Sequence, residues 1–268
     1  MSTLHDSVAE AASDIVEGLK KYHLAAIFGW QDIAQRYRRS KIGAFWLSIN
    51  MGVLIAAIGL IFGTLFRSPM QDFLPYLCAG LVIWTFMSTT LSEGCLGFIS
   101  VEGVILQVRM PLFNHIMRLV WRNIIMFAHN IAVFPVVMLV FLHPITWIAL
   151  LALPGLLLVA MNLLWITLIL SVVCTRYRDM TQIVQNALQV VFYLTPIIWK
   201  QDNLPAGIGQ DLLMLNPFYH LVSIVRSPLL GVYPSALNWV FAVTLMIVGW
   251  TAAVLFFGSY RKRIAYWL

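Results

Sequence analysis

Five polar side chains recur along one segment of this chain at the spacing of a single helical face. Gln182, Gln185, Asn186, Gln189 and Tyr193 follow one another at i, i+3, i+4, i+7 and i+11. Because a helix turns by about 100° per residue, these five residues share one face. Amides both donate and accept hydrogen bonds, so this polar row suits reversible binding of hydroxyl-rich molecules.

The polar row lies in a stretch without Asp, Glu, Lys or Arg, and the chain has four more such stretches. The longest contains 53 residues and breaks at His143-Pro144. About 20 apolar residues cross a bilayer as a helix, so this stretch predicts two crossings and the five together predict six transmembrane helices. The uncharged stretches are Ile42–Phe66, Phe73–Ser92, Asn123–Thr175, Met180–Trp199 and Ser227–Tyr260.

Amides that face lipid would leave their hydrogen-bonding groups unsatisfied, so the polar row must face protein or water. Two interpretations are open. The row is either a set of hydrogen bonds between helices or the wall of a polar conduit. Five polar residues in register exceed what helix packing needs, which favours the conduit.

Composition and charge agree with an all-helical integral membrane protein. The chain is 61% hydrophobic and 10% charged, whereas soluble domains carry about 25% charged residues. With six crossings, fourteen basic residues fall on the side of the two termini and three on the other, so both termini are predicted to be cytoplasmic. The net charge of +6 is thus explained by topology and lipid headgroups rather than by nucleic acid. The three basic residues on the other side are Arg67, Lys200 and Arg226.

The segments outside the predicted membrane domain, residues 42–260, differ in character. Residues 1–18 are polar and carry four acids, unlike a signal peptide. Residues 19–41 predict an amphipathic helix in the membrane interface, with a soluble partner-binding helix as the alternative. Residues 261–268 form a basic and aromatic cytoplasmic tail.

Further elements are predicted around the spans. The link of residues 99–118 is expected to hold a short cytoplasmic helix. Pro135 and Pro154 predict kinks in the third and fourth spans. Residues 200–234, between spans five and six, contain apolar runs too short to cross and broken by prolines, which predicts re-entrant or periplasmic helices.

Several kinds of chemistry lack their usual residues. No Gly-Lys pair occurs, so the chain has no phosphate loop for ATP hydrolysis. The six histidines lack metal-ligand spacing, and no G-x-S-x-G elbow is present. Neither a metal nor a cofactor is expected, and an enzymatic activity is disfavoured. The three cysteines fall in or beside spans and are expected to be buried thiols.

Four segments, in their order and spacing, resemble the membrane subunit of ABC-2 type exporters, specifically those that move bacterial cell-surface polysaccharides such as O-antigen or capsule. The first is the basic sequence 36–46 before span one, and the second is Arg176-Tyr177-Arg178-Asp179 with the later sequence 193–199. The third is Leu215-Asn216-Pro217-Phe218-Tyr219-His220, followed by Arg226 and the sequence 229–231, and the fourth is the sequence 260–268.

This resemblance implies a homodimer in the bacterial inner membrane that works with two copies of a separate ABC ATPase subunit. The implied cargo is a lipid-linked polysaccharide, with O-antigen first and capsule next. Two alternatives are kept: an ABC-2 exporter of another substrate (teichoic acid, a drug or a lipid) and a stand-alone membrane scaffold or enzyme.

Four groups of site residues follow from these arguments. The polar row with Phe45 and Trp46 is expected to line a channel, where aromatic rings would stack on sugars unless they only anchor the interface. Lipid pyrophosphate is expected at Arg36, Arg38, Arg39, Arg118 and Arg122, although the last two would alternatively contact lipid phosphates or pair with Glu93. A periplasmic gate is expected at Asn216, Pro217, Phe218, Tyr219 and Arg226. The ATPase subunit is expected to dock at Gln31, Asp32, Glu102 and Arg109.

Overall fold

The structure, a computed structural model, describes residues 4–38, 42–43, 45–201 and 207–268, and all regular elements within these ranges are helical. Short 3₁₀ turns at Ile99–Val101 and Trp147–Leu151 precede α5 and α8. The α-helices are α1 (Leu4–Lys20), α2 (Tyr22–Tyr37), α3 (Phe45–Leu65), α4 (Met70–Gly94), α5 (Glu102–Gln107), α6 (Leu112–Ile131), α7 (Val133–Val140), α8 (Ala152–Arg176), α9 (Met180–Leu194), α10 (Ile208–Leu215), α11 (Pro217–Leu229) and α12 (Ala236–Trp267).

Five helical stretches among the described residues are long and apolar enough to cross a membrane, whereas the sequence predicts six. They are Phe45–Leu65, Met70–Gly94, Leu112–Val140, Trp147–Arg176 and Ala236–Trp267. The predicted fifth span corresponds to α9, whose 15 residues extend about 22 Å against a hydrocarbon core of about 30 Å. The sixth crossing and the cytoplasmic position of both termini therefore stay predictions.

Helix α4 is the centre of the helical bundle, while α3 and α12 lie at its periphery. In the most apolar window of α4, 72% of the residues are buried, against 17% in α3 and 22% in α12. Gly59 and Gly63 bring α3 close to α4, because a side chain at either position would meet Leu74 or Met70. Most of α3 thus remains free to face lipid or another chain.

The prolines act differently in the two spans where kinks are predicted. The third span is interrupted at Ala132, between α6 and α7, three residues before Pro135. Proline cannot donate a hydrogen bond to the preceding turn, which accounts for a break there. Pro154 lies instead in the first turn of α8, where a missing N–H group costs no helical hydrogen bond and no kink is needed.

The two terminal segments are helical and pack against each other. Residues 4–20 form α1, whose buried Ala11 and Ile15 contact Phe257 and Ile264 of α12. The helix predicted over residues 19–41 is observed as α2 and begins at Tyr22, while residues 39–41 lie outside the described residues. The basic and aromatic sequence 261–268 continues α12 through Trp267 without a break.

Candidate functional site: a polar row, a groove and a charge cluster

The polar row of α9 lies on the outer surface of the chain. Gln182, Gln185, Asn186, Gln189 and Tyr193 are all exposed. The amide of Gln182 donates a 3.0 Å hydrogen bond to Oδ1 of Asn186 within the same helix. The buried Leu188, on the flank of α9 beside the polar row, contacts the core of the bundle. The row therefore does not form hydrogen bonds between α9 and the other described helices of its own chain.

A groove of about 350 Å³ runs beside this row, between α3, α4 and α9. Gln189 of α9 contributes an amide group to the groove, and Thr85 and Ser88 of α4 contribute hydroxyl groups. Its aromatic wall consists of Trp84 and Phe192, whose ring centroids lie 5.6 Å apart. Hydroxyls, an amide and aromatic faces are the groups that bind sugars by hydrogen bonding and stacking.

Phe45 and Trp46 do not line this groove. Both are exposed in the first turn of α3, at 70% and 56% of their full area. The groove is lined from α3 by Leu54 and Ile58, two or more turns further along the helix. Leu54 follows Phe45 by nine positions, which is about 180° around the helix, so the two side chains point to opposite sides of α3.

A cluster of charged side chains joins α2, α4 and α6. Asp32 accepts two hydrogen bonds from Arg118, at 2.8 Å from Nε and 2.5 Å from Nη2. Arg122 donates to Asp32 at 3.3 Å and to Glu93 at 2.7 Å, so it connects both carboxylates. Asn123 donates a further 2.8 Å hydrogen bond to Glu93. The side chains of the four charged residues retain only 16–25% of their exposure.

This charge cluster bears on two of the sequence predictions. Arg118 and Arg122, expected to contact pyrophosphate, are engaged by carboxylates of the chain, and Arg122 pairs with Glu93 as in the alternative interpretation. Asp32, expected to dock the ATPase, faces α6 instead of a partner surface.

The remaining predicted phosphate contacts extend toward the end of α2. Arg36 is half exposed and lies 3.8 Å from the carboxylate of Glu93, which adds a third arginine to the cluster. Arg38 is exposed directly after α2. Arg39 lies outside the described residues.

The predicted docking residues differ in exposure. Gln31 is exposed on α2, and Arg109 is exposed between α5 and α6. Glu102 is partly exposed and begins α5, so the short helix expected in the link of residues 99–118 is present.

Asn216 and Tyr219, two of the predicted gate residues, form three hydrogen bonds in the segment between α9 and α12. Asn216 caps α11 by accepting a 3.0 Å hydrogen bond from the Phe218 N–H, with Pro217 in the first turn as expected for a helix start. Its amide also donates to Oγ1 of Thr195 at 2.9 Å, which ties α11 to the end of α9. Tyr219 is buried and donates to Gln201 at 2.7 Å.

Arg226 is the buried charge of this region. It retains 5% of its exposure, donates a 2.5 Å hydrogen bond to the carbonyl of Pro196, and lies 4.1 Å from the ring centroid of Tyr76. Tyr76 donates to the same carbonyl at 2.9 Å and to that of Trp199 at 3.1 Å. Tyr76 and Arg226 together hold the backbone that follows α9. No motif in the sequence singles out Tyr76.

Asp14 is a second structural residue that no motif singles out. It is buried to 3% exposure and accepts hydrogen bonds from the N–H groups of Leu112 and Phe113 at the start of α6. It also forms an ion pair with Arg261 of α12 at 2.8 Å. One carboxylate thus connects α1, α6 and α12. An acid within the acidic N-terminal segment gives no signal that would single it out from the sequence.

Apolar helices of membrane-crossing length, arranged around a central helix, define a multi-pass membrane protein. The ABC-2 type transporter family model matches residues 24–230, so the chain belongs to that family. Members of the family are membrane components of transporters that pair with an ABC ATPase subunit, and the chain is accordingly a multi-pass protein of the inner membrane.

Three relatives carry the description "O-antigen export system permease protein RfbA". The Myxococcus xanthus protein is 24% identical over 195 residues, which cover 72% of this chain and 75% of the relative. One Klebsiella pneumoniae protein is 22% identical over 75% of this chain and 80% of its own length. A second is 21% identical over 90% of this chain and 95% of its own length.

Proposed function

We propose that this chain is the membrane-spanning permease subunit of an ATP-driven exporter that moves a lipid-linked cell-surface polysaccharide out of the cytoplasm. The observation that carries the proposal is the exposed polar row of α9, with the groove beside it. The relatives' descriptions as O-antigen export permeases favour O-antigen as the cargo, with capsule next.

The polar row supports a passage between two copies of the chain. Four amides and a phenol exposed to hydrocarbon would each lose hydrogen bonds to water without replacement. Two copies that face one another across α3 and α9 would instead enclose the rows around water and a hydroxylated polymer. The low burial of α3 leaves the area that such a homodimer needs.

The energy source is a separate subunit in this proposal. Two copies of an ABC ATPase would dock on the cytoplasmic side, at the exposed Gln31 and Arg109 and at Glu102. This arrangement requires six crossings, with α9 as the short fifth, and both termini in the cytoplasm. ATP-driven closure of the ATPase subunits would move these cytoplasmic elements and open the path along α9.

The lipid pyrophosphate would approach the end of α2. Arg36, Arg118 and Arg122 face the two acids Asp32 and Glu93, which leaves an excess of one positive charge. The exposed Arg38 adds to it, and Arg39 is proposed to do the same. In this proposal Arg118 and Arg122 act through the charge cluster, and Arg36 and Arg38 contact the phosphates directly.

The segment that includes α10 and α11 would close the outer end of the passage. A cavity of about 410 Å³ lies between the end of α9 and α10, lined by Tyr193, Trp199 and Leu212 among others. Asn216 and Arg226 hold the surrounding backbone, so these two residues would set the resting position of the gate.

Deletion of the gene in its native host, with complementation from a plasmid, tests the cargo. We expect lipid-linked glycan to accumulate inside the cell and surface polysaccharide to disappear, as measured by gel analysis of surface glycans and by lipid extraction. Unchanged surface glycan in the deletion strain would refute polysaccharide export. Retained glycan export with loss of another exported molecule would assign that molecule as the substrate.

Single cysteines along α9 test the passage separately. Cysteines at 182, 185, 186 and 189 should react with a membrane-impermeant methanethiosulfonate reagent during transport. Val190 is 58% exposed but lies off the polar row, so a cysteine at this position is a matched control that should stay unreactive. The native Cys78, Cys95 and Cys174 are buried, so the unaltered protein gives the background level of labelling by the reagent. Four inert positions in a strain that still exports glycan would rule out this passage.

A further inference from the structure

A second cavity, of about 380 Å³, lies between the ends of α8 and α12. Its base is apolar and includes Val173 and Phe256, while Arg176 and Arg263 stand at its rim. It shares no lining residue with the groove beside the polar row. The cavity therefore combines an apolar floor with two positive charges, and the proposed function assigns it no role.

The two arginines at the rim are held by aromatic rings rather than by acids. The guanidinium of Arg176 lies 5.0 Å from the ring centroid of Trp267 and 5.1 Å from that of Tyr177. Arg263 lies 6.0 Å from the ring of Tyr260. Among the residues that the structure describes, no carboxylate lies within ion-pair distance of either arginine.

The two basic residues that precede Arg263 in α12 do have acidic partners. Arg261 pairs with Asp14 and Lys262 pairs with Glu10, so both are used to hold α1. Arg263 follows about 100° further around the helix and faces the cavity instead. Within the part of the chain that the structure describes, Arg261 and Lys262 thus have acidic partners and Arg263 does not.

We infer that this cavity binds the phosphate headgroup of an anionic bilayer phospholipid. Two guanidinium groups recognise a phosphodiester by charge-assisted hydrogen bonds, and Tyr260 and Trp267 supply the amphipathic rings typical of the headgroup level. The apolar base accepts the first carbons of an acyl chain, which continues along the exposed flank of α12. Basic pockets between transmembrane helices bind such lipids.

The position of the cavity favours a bilayer phospholipid over the cargo lipid. Both share phosphate and an apolar tail, but α8 and α12 border the cavity while α3 and α9 border the proposed passage. A phospholipid at this point would join the ends of two spans and give Arg176 and Arg263 the anionic partner that the described residues do not supply. This inference does not depend on the proposed function, because a lipid site is compatible with any cargo.

Native mass spectrometry of the purified full-length protein tests the site by titration with phosphatidylglycerol. The double variant R176Q/R263Q should bind the first phosphatidylglycerol about 30-fold more weakly, since each arginine near a lipid surface contributes about 1 kcal/mol. The variant R176K/R263K, which keeps both charges, should retain most of the binding. R178Q removes an exposed arginine of the same turn that does not line the cavity, and it should bind like the unaltered protein.

Competing ligands distinguish the sources of the phosphate. Phosphatidylcholine should not displace phosphatidylglycerol, because its headgroup carries no net negative charge. Inorganic pyrophosphate should not displace it either, because it has no apolar part. Farnesyl diphosphate represents a cargo-like isoprenoid. If it displaces phosphatidylglycerol at much lower concentration, the bilayer-phospholipid assignment is overturned.

The folding of each variant is checked by thermal unfolding in detergent without added lipid. If R176Q/R263Q unfolds at the same temperature as the unaltered protein and binds phosphatidylglycerol equally well, the site is refuted. If R176Q/R263Q does not fold, R176K/R263K and the competition experiments decide whether the site exists. Equal binding of phosphatidylcholine and phosphatidylglycerol would then refute the site.

Discussion

The carboxylate of Asp14 accepts a hydrogen bond from Nε of Arg261 at 2.9 Å, across 247 positions of sequence. This pair joins the first helix of the chain to the last. The same carboxylate caps α6, so Asp14 connects three helices at the charged end of the bundle. One buried acid therefore contributes to the packing of both terminal helices.

We expect Asp14→Asn to destabilise the protein by about 3 kcal/mol, because Arg261 would lose its partner and the N–H groups of α6 would lose an anionic acceptor. The measurement is thermal unfolding of the purified protein in detergent, followed by the intrinsic fluorescence. Glu10→Gln is the matched control, since Glu10 pairs with Lys262 at an exposed site and should contribute less than about 1 kcal/mol. Equal effects of the two changes would contradict the role given to Asp14.

The pair between Asp32 and Arg118 should hold α2 against α6. Asp32→Asn leaves both arginines without their shared carboxylate, and we expect faster amide hydrogen exchange throughout α2. Gln31→Ala changes an exposed neighbour and should leave the exchange unchanged. If docking of the ATPase occurs at Gln31, this second change should instead weaken co-purification of that subunit. Slow exchange of α2 in the Asp32→Asn variant would show that the ion pair is dispensable.

Arg226 should hold the backbone after α9. Lysine at this position keeps the charge but loses the planar group that stacks on Tyr76, and we expect a loss of about 2 kcal/mol. Residues 195–201 should then become more sensitive to limited proteolysis. Arg67→Lys, at an exposed position, is the control and should behave like the unaltered protein. Unchanged cleavage in the Arg226→Lys variant would argue against this anchoring.

Two glycines in transmembrane helices should respond in opposite ways to alanine. A Cβ at Gly155 would lie 2.6 Å from the backbone carbonyl oxygen of Ile224, so α8 and α11 would have to separate. We expect Gly155→Ala to cost about 1–3 kcal/mol. A Cβ at Gly52 would meet only Val133 at 3.9 Å, and alanine there should be neutral or stabilising. Thermal unfolding of both variants gives the comparison, and a stable Gly155→Ala variant would mean that the two helices are less tightly packed.

Hydropathy is a local property, and the features that depend on it were predicted from the sequence. The all-helical membrane fold, the family, the inner-membrane location and the short helix before α6 follow from uncharged stretches, prolines and motifs. The count of six crossings is not confirmed, because α9 is shorter than the uncharged stretch that contains it. Thr195 and Pro196 end the helix, and the following residues turn back to contact Tyr76.

The sequence by itself determined which side chains share a face, since helical periodicity fixes that within one element. It thus placed the five members of the polar row together on α9. Only the tertiary structure decided which side chains of other helices each face meets, such as Asp14 with Arg261 and Asp32 with Arg118. Ion pairs and close helix contacts join residues far apart in the chain, and their geometry arises from packing that periodicity does not encode.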